Sequence, residues 1–153
     1  MKSLFLAVML LLGVSVMAQT NFSGTWELSK DKSTLNEQFS MAPVKLVLTQ
    51  DGNNLTIERH SEFQGNTYTS QSKHTLDGEE NVNDGWQDIK FTSVSKWDDA
   101  KKVLTISSKI PMQDGSEMKS DQIYSMDDDN LKIVAKASSS WGDVEETWVF
   151  VKK

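Results

Sequence analysis

Few residues of this chain are suited to chemistry. His60 and His74 are its two histidines, and with Glu58 or Glu62 they could offer nitrogen and oxygen ligands to a metal. Their spacing gives neither a His-x-His pair nor a His-Glu-x-x-His helix, so solvated strand histidines are the default. Asp127, Asp128 and Asp129 form an acidic run without the alternating ligands and closing glutamate of a calcium loop, and an acidic hairpin turn explains it better. There is no cysteine to act as a thiol nucleophile, and no Gly-x-Ser-x-Gly elbow presents a serine. Glu146 lies between Val144 and Trp148. Facing inward, it could join Arg59, the only arginine, as a ligand clamp or a buried ion pair; Val149 and Val151 compete for that face, so it could equally point outward. No catalytic residue, metal site or cofactor motif assembles, and the chain reads as a non-enzyme.

The elements that position these residues are strands. Val44, Leu46 and Leu48 alternate with Lys45, Val47 and Thr49, and Leu55, Ile57 and Arg59 alternate with Thr56, Glu58 and His60. Asp51-Gly52-Asn53-Asn54, Gly65-Asn66, Asp77-Gly78, Asp114-Gly115 and Asp127-Asp128-Asp129-Asn130 punctuate the series as turns. Residues 79–85 read as the one sizeable loop within it. Leu35 and Phe39, four apart, allow either a turn or two of helix or an ordered loop before Pro43. About eight or nine strands with tight connections should pair as neighbours in an antiparallel meander. Closure into an up-and-down barrel would remove its edges, with a β-sandwich as the alternative.

The apolar strand faces carry polar guests. Arg59 follows Leu55 and Ile57, Ser93 and Ser95 interrupt Ile89, Phe91 and Trp97, and Ser120 and Gln122 stand between Met118 and Tyr124. A filled core would leave such groups unpaired at about 1–3 kcal/mol each, whereas a partly wet internal cavity accommodates them. Strand ends that reach solvent would do the same.

Residues 1–18 read as a signal peptide: Lys2, an apolar run from Leu4 to Val16, then the small-residue end at Ala18. The run is short for a membrane span, and a lipid anchor would need a cysteine at the cleavage point. Residues 19–153 then form one domain, large enough to build a core without disulfides. A net charge of −6 and scattered lysines argue against nucleic acid as a partner.

Asn21-Phe22-Ser23-Gly24-Thr25-Trp26-Glu27-Leu28, with Lys30 and Lys32-Ser33 behind it, resembles the opening of exported bacterial lipocalin-like (calycin) domains. The resemblance implies a lipocalin-like barrel closed by Gly24 and Trp26 and located outside the cytoplasm, secreted or periplasmic. The family's Thr-Asp-Tyr motif is absent. So is the arginine on the last strand that stacks on the tryptophan; Lys152 and Lys153 stand there instead. The expected function is binding of a small apolar or amphipathic molecule by Leu46, Leu48, Leu55, Ile57, Arg59, Phe91, Ile106, Met118 and Tyr124, with no cofactor and no membrane span. The alternative is a non-catalytic envelope domain that meets a partner protein through its loops, Trp86 and Trp141 being the contact residues.

Overall fold

The alternation becomes ten antiparallel strands in a computed structural model that describes residues 18–153. They are β1 (Gly24–Leu28), β2 (Lys45–Asp51), β3 (Asn54–Phe63), β4 (Asn66–Thr75), β5 (Glu80–Asp84), β6 (Lys90–Trp97), β7 (Leu104–Pro111), β8 (Glu117–Asp127), β9 (Asn130–Ser139) and β10 (Gly142–Lys152). The hydrogen-bonded order is β4-β3-β2-β1-β10-β9-β8-β7-β6-β5. Its two edge strands, β4 and β5, come together, so the sheet is a nearly closed up-and-down barrel and not a sandwich. Apart from Ala18, the leader assigned to residues 1–18 lies outside the described residues. Among the described residues no helix is long and apolar enough to cross a membrane.

The tenth strand is β5, where the pattern alone suggests a loop. Its sequence, Glu-Asn-Val-Asn-Asp, shows little apolar alternation because its two asparagines serve a different purpose. The Asn83 side chain accepts from the Lys73 N–H at 2.8 Å and donates to the Lys73 carbonyl at 2.9 Å. Asn81 accepts from the Thr75 N–H at 2.7 Å. A side-chain amide carries the same donor and acceptor as a peptide group, so these residues bridge a seam that the backbone leaves open.

One end of the barrel is filled. Phe22, Trp26, Leu46, Leu48, Leu55, Leu104, Tyr124, Leu131, Ile133 and Phe150 are all buried there, each contributing roughly 1.5–3 kcal/mol by leaving water. Residues 20–23 cross this end, tied by Thr20 N–H to the Lys101 carbonyl and by Phe22 N–H to Gln50 Oε1. The Phe22 ring stacks on Trp97 at 5.8 Å, and its carbonyl accepts from Trp26 Nε1 at 2.9 Å. Lys152 lies over the Trp26 ring at 5.6 Å, in the position where the family resemblance implies an arginine. Gly24 has φ +150°, and a Cβ there would stand 3.1 Å from Lys152 Cε, so glycine keeps that lysine seated on the indole.

The other end is crossed by a strap, residues 29–44, which contains only one short 3₁₀ turn, Lys30–Lys32. Leu35 and Phe39 therefore belong to ordered loop and not to helix. The strap first runs beside β10, where Thr34 and Thr147 exchange both backbone bonds. It then passes over the opening toward β2.

Candidate functional site

Between the filled end and the strap lies a cavity of about 890 Å³, within the range of pockets that take a small-molecule ligand. Ile57, Ile106 and Tyr124 belong both to the core and to its lining, and so form its floor. Arg59, Ser108, Ser120 and Gln122 lie further up the same strand faces. Phe39 on the strap, Phe63 and Tyr68 at the β3–β4 turn and Trp86 in the β5–β6 connection also line it and are exposed, so they mark its mouth. The Tyr68 and Trp86 rings meet edge to face at 5.4 Å, spanning the β4–β5 seam at that level.

Of the nine residues expected to bind ligand, Ile57, Arg59, Phe91, Ile106 and Tyr124 line the cavity. Leu46, Leu48 and Leu55 do not; they are buried in the filled end, packed with Trp26 and Phe22. Met118 shares a strand face with Ser120 but is half-buried outside the lining. Strand alternation gives the face of a residue but not its height in the barrel, and height decides between core and cavity wall. The lining residues missed in the sequence are mostly polar ones on β4 (Ser70, Ser72 and His74) and the strap residues Ser40, Met41 and Ala42. Neither stretch carries an apolar period that could have marked it.

Arg59 projects from β3 across the Trp148 ring at 5.5 Å and donates from Nη2 to the Met41 carbonyl at 3.2 Å. Burial among protein groups lowers its pKa from the usual arginine value, partly offset by the neighbouring Tyr124. The same burial pushes the Tyr124 phenol up to about 12, with the Arg59 charge pulling the other way. Tyr124 is therefore a neutral donor, and its hydroxyl gives its proton to Gln122 Oε1 at 2.9 Å.

Glu146 faces inward and is buried, yet it neither points to solvent nor pairs with Arg59. Its carboxylate accepts from the Asn36 N–H at 2.7 Å, the Met41 N–H at 3.1 Å and Trp148 Nε1 at 3.0 Å. It holds the strap down. Val149, which competed for the same face, is also buried but lies on the other side of the strand, beneath the strap, where its N–H donates to Ser33 Oγ.

The two histidines do not meet. His60 Nε2 lies 2.6 Å from Glu58 Oε1, and its Nδ1 contacts Thr69 Oγ1 at 3.2 Å. His74 is buried between Ser93 Oγ and Ser72 Oγ, each at 2.9 Å, and burial lowers its pKa to about 4. Among the described residues no group of three or more His, Asp or Glu is placed to hold a metal. Ser93, read as a polar guest, is thus satisfied by His74. Ser95 Oγ and Trp97 Nε1 are buried without a partner among the described residues.

No protein-family model matches the chain, and no curated protein sequence does. Among solved structures, the barrel is similar to zebrafish ileal bile acid-binding protein complexed with cholic acid, with a TM-score of 0.57 and 18% identity over 86% of this chain and 98% of that one. It is also similar to lipid binding protein 8 of Caenorhabditis elegans, with a TM-score of 0.51 and 15% identity over 86% and 95% of the two chains. The chain has a calycin-like β-barrel fold, in its ten-stranded form.

Proposed function

We propose that this chain is an exported binding barrel that holds a small apolar or amphipathic molecule in its interior. The observation that carries the reading is the cavity itself, roofed by the strap, with an apolar floor, a polar wall and an aromatic mouth. The bile acid-binding and lipid-binding proteins that share the fold support it. Export rests on the leader sequence of residues 1–18, and a secreted or periplasmic location in a bacterium rests on the family resemblance.

Native mass spectrometry of the protein from its own host, purified without delipidating steps, tests this. A discrete added mass of a few hundred daltons is the expected result. Trp86 and Trp141, 65% and 78% exposed on connections at the open end, favour a second reading in which a partner protein docks there. An empty protein that also ignores lipids and hydrophobic dyes would replace the first reading with the second.

A further inference from the structure

Two residues of the cavity wall, Arg59 and Gln122, hold donors that no protein acceptor among the described residues uses. Arg59 has five N–H donors and makes one hydrogen bond to protein, the bond to Met41. Among the described residues no carboxylate lies within ion-pair distance of its guanidinium. Gln122 is oriented by Tyr124, whose hydroxyl occupies the Gln122 oxygen, so the Gln122 NH₂ is the free end of that amide. Both residues line the cavity, and Arg59 keeps accessible surface there. A cation surrounded by protein and without a carboxylate in ion-pair contact, Glu146 nearby being taken up by Asn36, Met41 and Trp148, favours an anion that can reach it, because the low local dielectric strengthens their attraction.

We infer, on the basis of the binding-barrel reading, that the ligand is an amphipathic organic oxyanion bound headgroup first. Its carboxylate, sulfonate or sulfate sits at Arg59 and Gln122, and its apolar end lies toward Phe39, Phe63, Tyr68 and Trp86 at the mouth. A guanidinium matches a carboxylate or sulfonate with two parallel hydrogen bonds, which a neutral hydroxyl cannot reproduce. Of the two carboxylates in the lining, Asp84 is paired with Lys90. Glu62, the nearest acidic lining residue on β3, is three positions from Arg59, about 10 Å along a strand, and is exposed. That distance is about one Debye length at physiological salt, so its repulsion is largely screened.

Titrating the full chain with decanoate and with decanol, followed by calorimetry, separates headgroup from tail. Decanoate should bind at least about tenfold more tightly than decanol, which corresponds to one charge-assisted interaction. Arg59→Met should erase that preference, a cooperative thermal transition showing that the variant is folded. If Arg59→Met does not fold, Gln122→Leu should reduce the preference severalfold. Equal affinities in the wild-type chain would overturn the oxyanion inference while leaving the binding barrel intact; binding of neither probe would overturn the barrel reading itself. Orientation is read with brominated chains. 12-Bromododecanoate should quench Trp86 more than 2-bromododecanoate does, measured as the signal lost in Trp86→Phe. The reverse order would overturn the headgroup-first placement.

Discussion

Replacing Glu146 by glutamine should loosen the strap that roofs the cavity. The side chain is 1% exposed, and its two oxygens receive three N–H groups, from Asn36, Met41 and Trp148. Glutamine keeps a single accepting oxygen, and its NH₂ must then face at least one of those donors. The least costly arrangement leaves the oxygen on Met41 and Trp148 and turns the NH₂ toward Asn36, which is exposed and can bond water instead. Hydrogen bonds to a charged group contribute about 1.5–3 kcal/mol, and the two that remain lose their charge assistance, so the net cost is about 2–3 kcal/mol. In a domain of this size that lowers Tm by roughly 5–12 °C. Differential scanning calorimetry measures the fall, and hydrogen exchange locates it: the Asn36 amide should lose protection while β8 and β9 keep theirs. A Tm within about 2 °C of wild type, with the Asn36 amide still protected, would refute the clamp.

Two further outcomes follow from buried polar groups. His74 is held neutral with its pKa near 4, against 6.5 for an unperturbed histidine. Between those values the unfolded chain binds the extra proton, so stability should fall as pH drops from about 6.5 toward 4, by up to ~1.4 kcal/mol per pH unit, and this contribution should level off below 4. Denaturant titrations of wild type and His74→Gln should differ by that slope, and parallel pH profiles would refute it. Asn83→Ala removes both bonds that Asn83 makes to Lys73 across the β4–β5 seam. Because Lys73 is exposed and can rehydrate, the cost should be only about 1–2 kcal/mol. Amide exchange at Lys73 should quicken in this variant, and an unchanged rate would show that the amide bridge does not hold the seam.

Much of the architecture follows from local pattern. The period of two from Val44 to Arg59 sets which side chains face inward, and the turn at Gln64-Gly65, with φ +50° and +78°, has the two positive values that a twisted hairpin connection favours. The family resemblance assigned barrel closure to Gly24 and Trp26; in the fold Gly24 has φ +150° and the Trp26 indole is buried at the filled end. Strand β5 was not legible. Its asparagines pair with β4 through side chains, and a polar strand that bonds this way leaves no apolar alternation behind.

The cavity divides in the same manner. Of the polar guests on inward faces, Arg59, Ser120 and Gln122 line the hollow, whereas Ser93 and Ser95 are buried outside its lining. Which inward leucines fill the core instead was undetermined, since Leu55, Ile57 and Arg59 share one face and differ only in depth. The orientation of Glu146 was equally open, because its partners, Asn36 and Met41, are over a hundred residues away in the chain and reach it only when the strap crosses the mouth. Sequence alone determined nine of the ten strands and their inward faces, because each depends on residues a few positions apart. Tertiary structure decided the seam, the strap, the depth of each inward side chain and the unpaired donors around Arg59. Those depend on how ten strands curve until the first half of the chain meets the second.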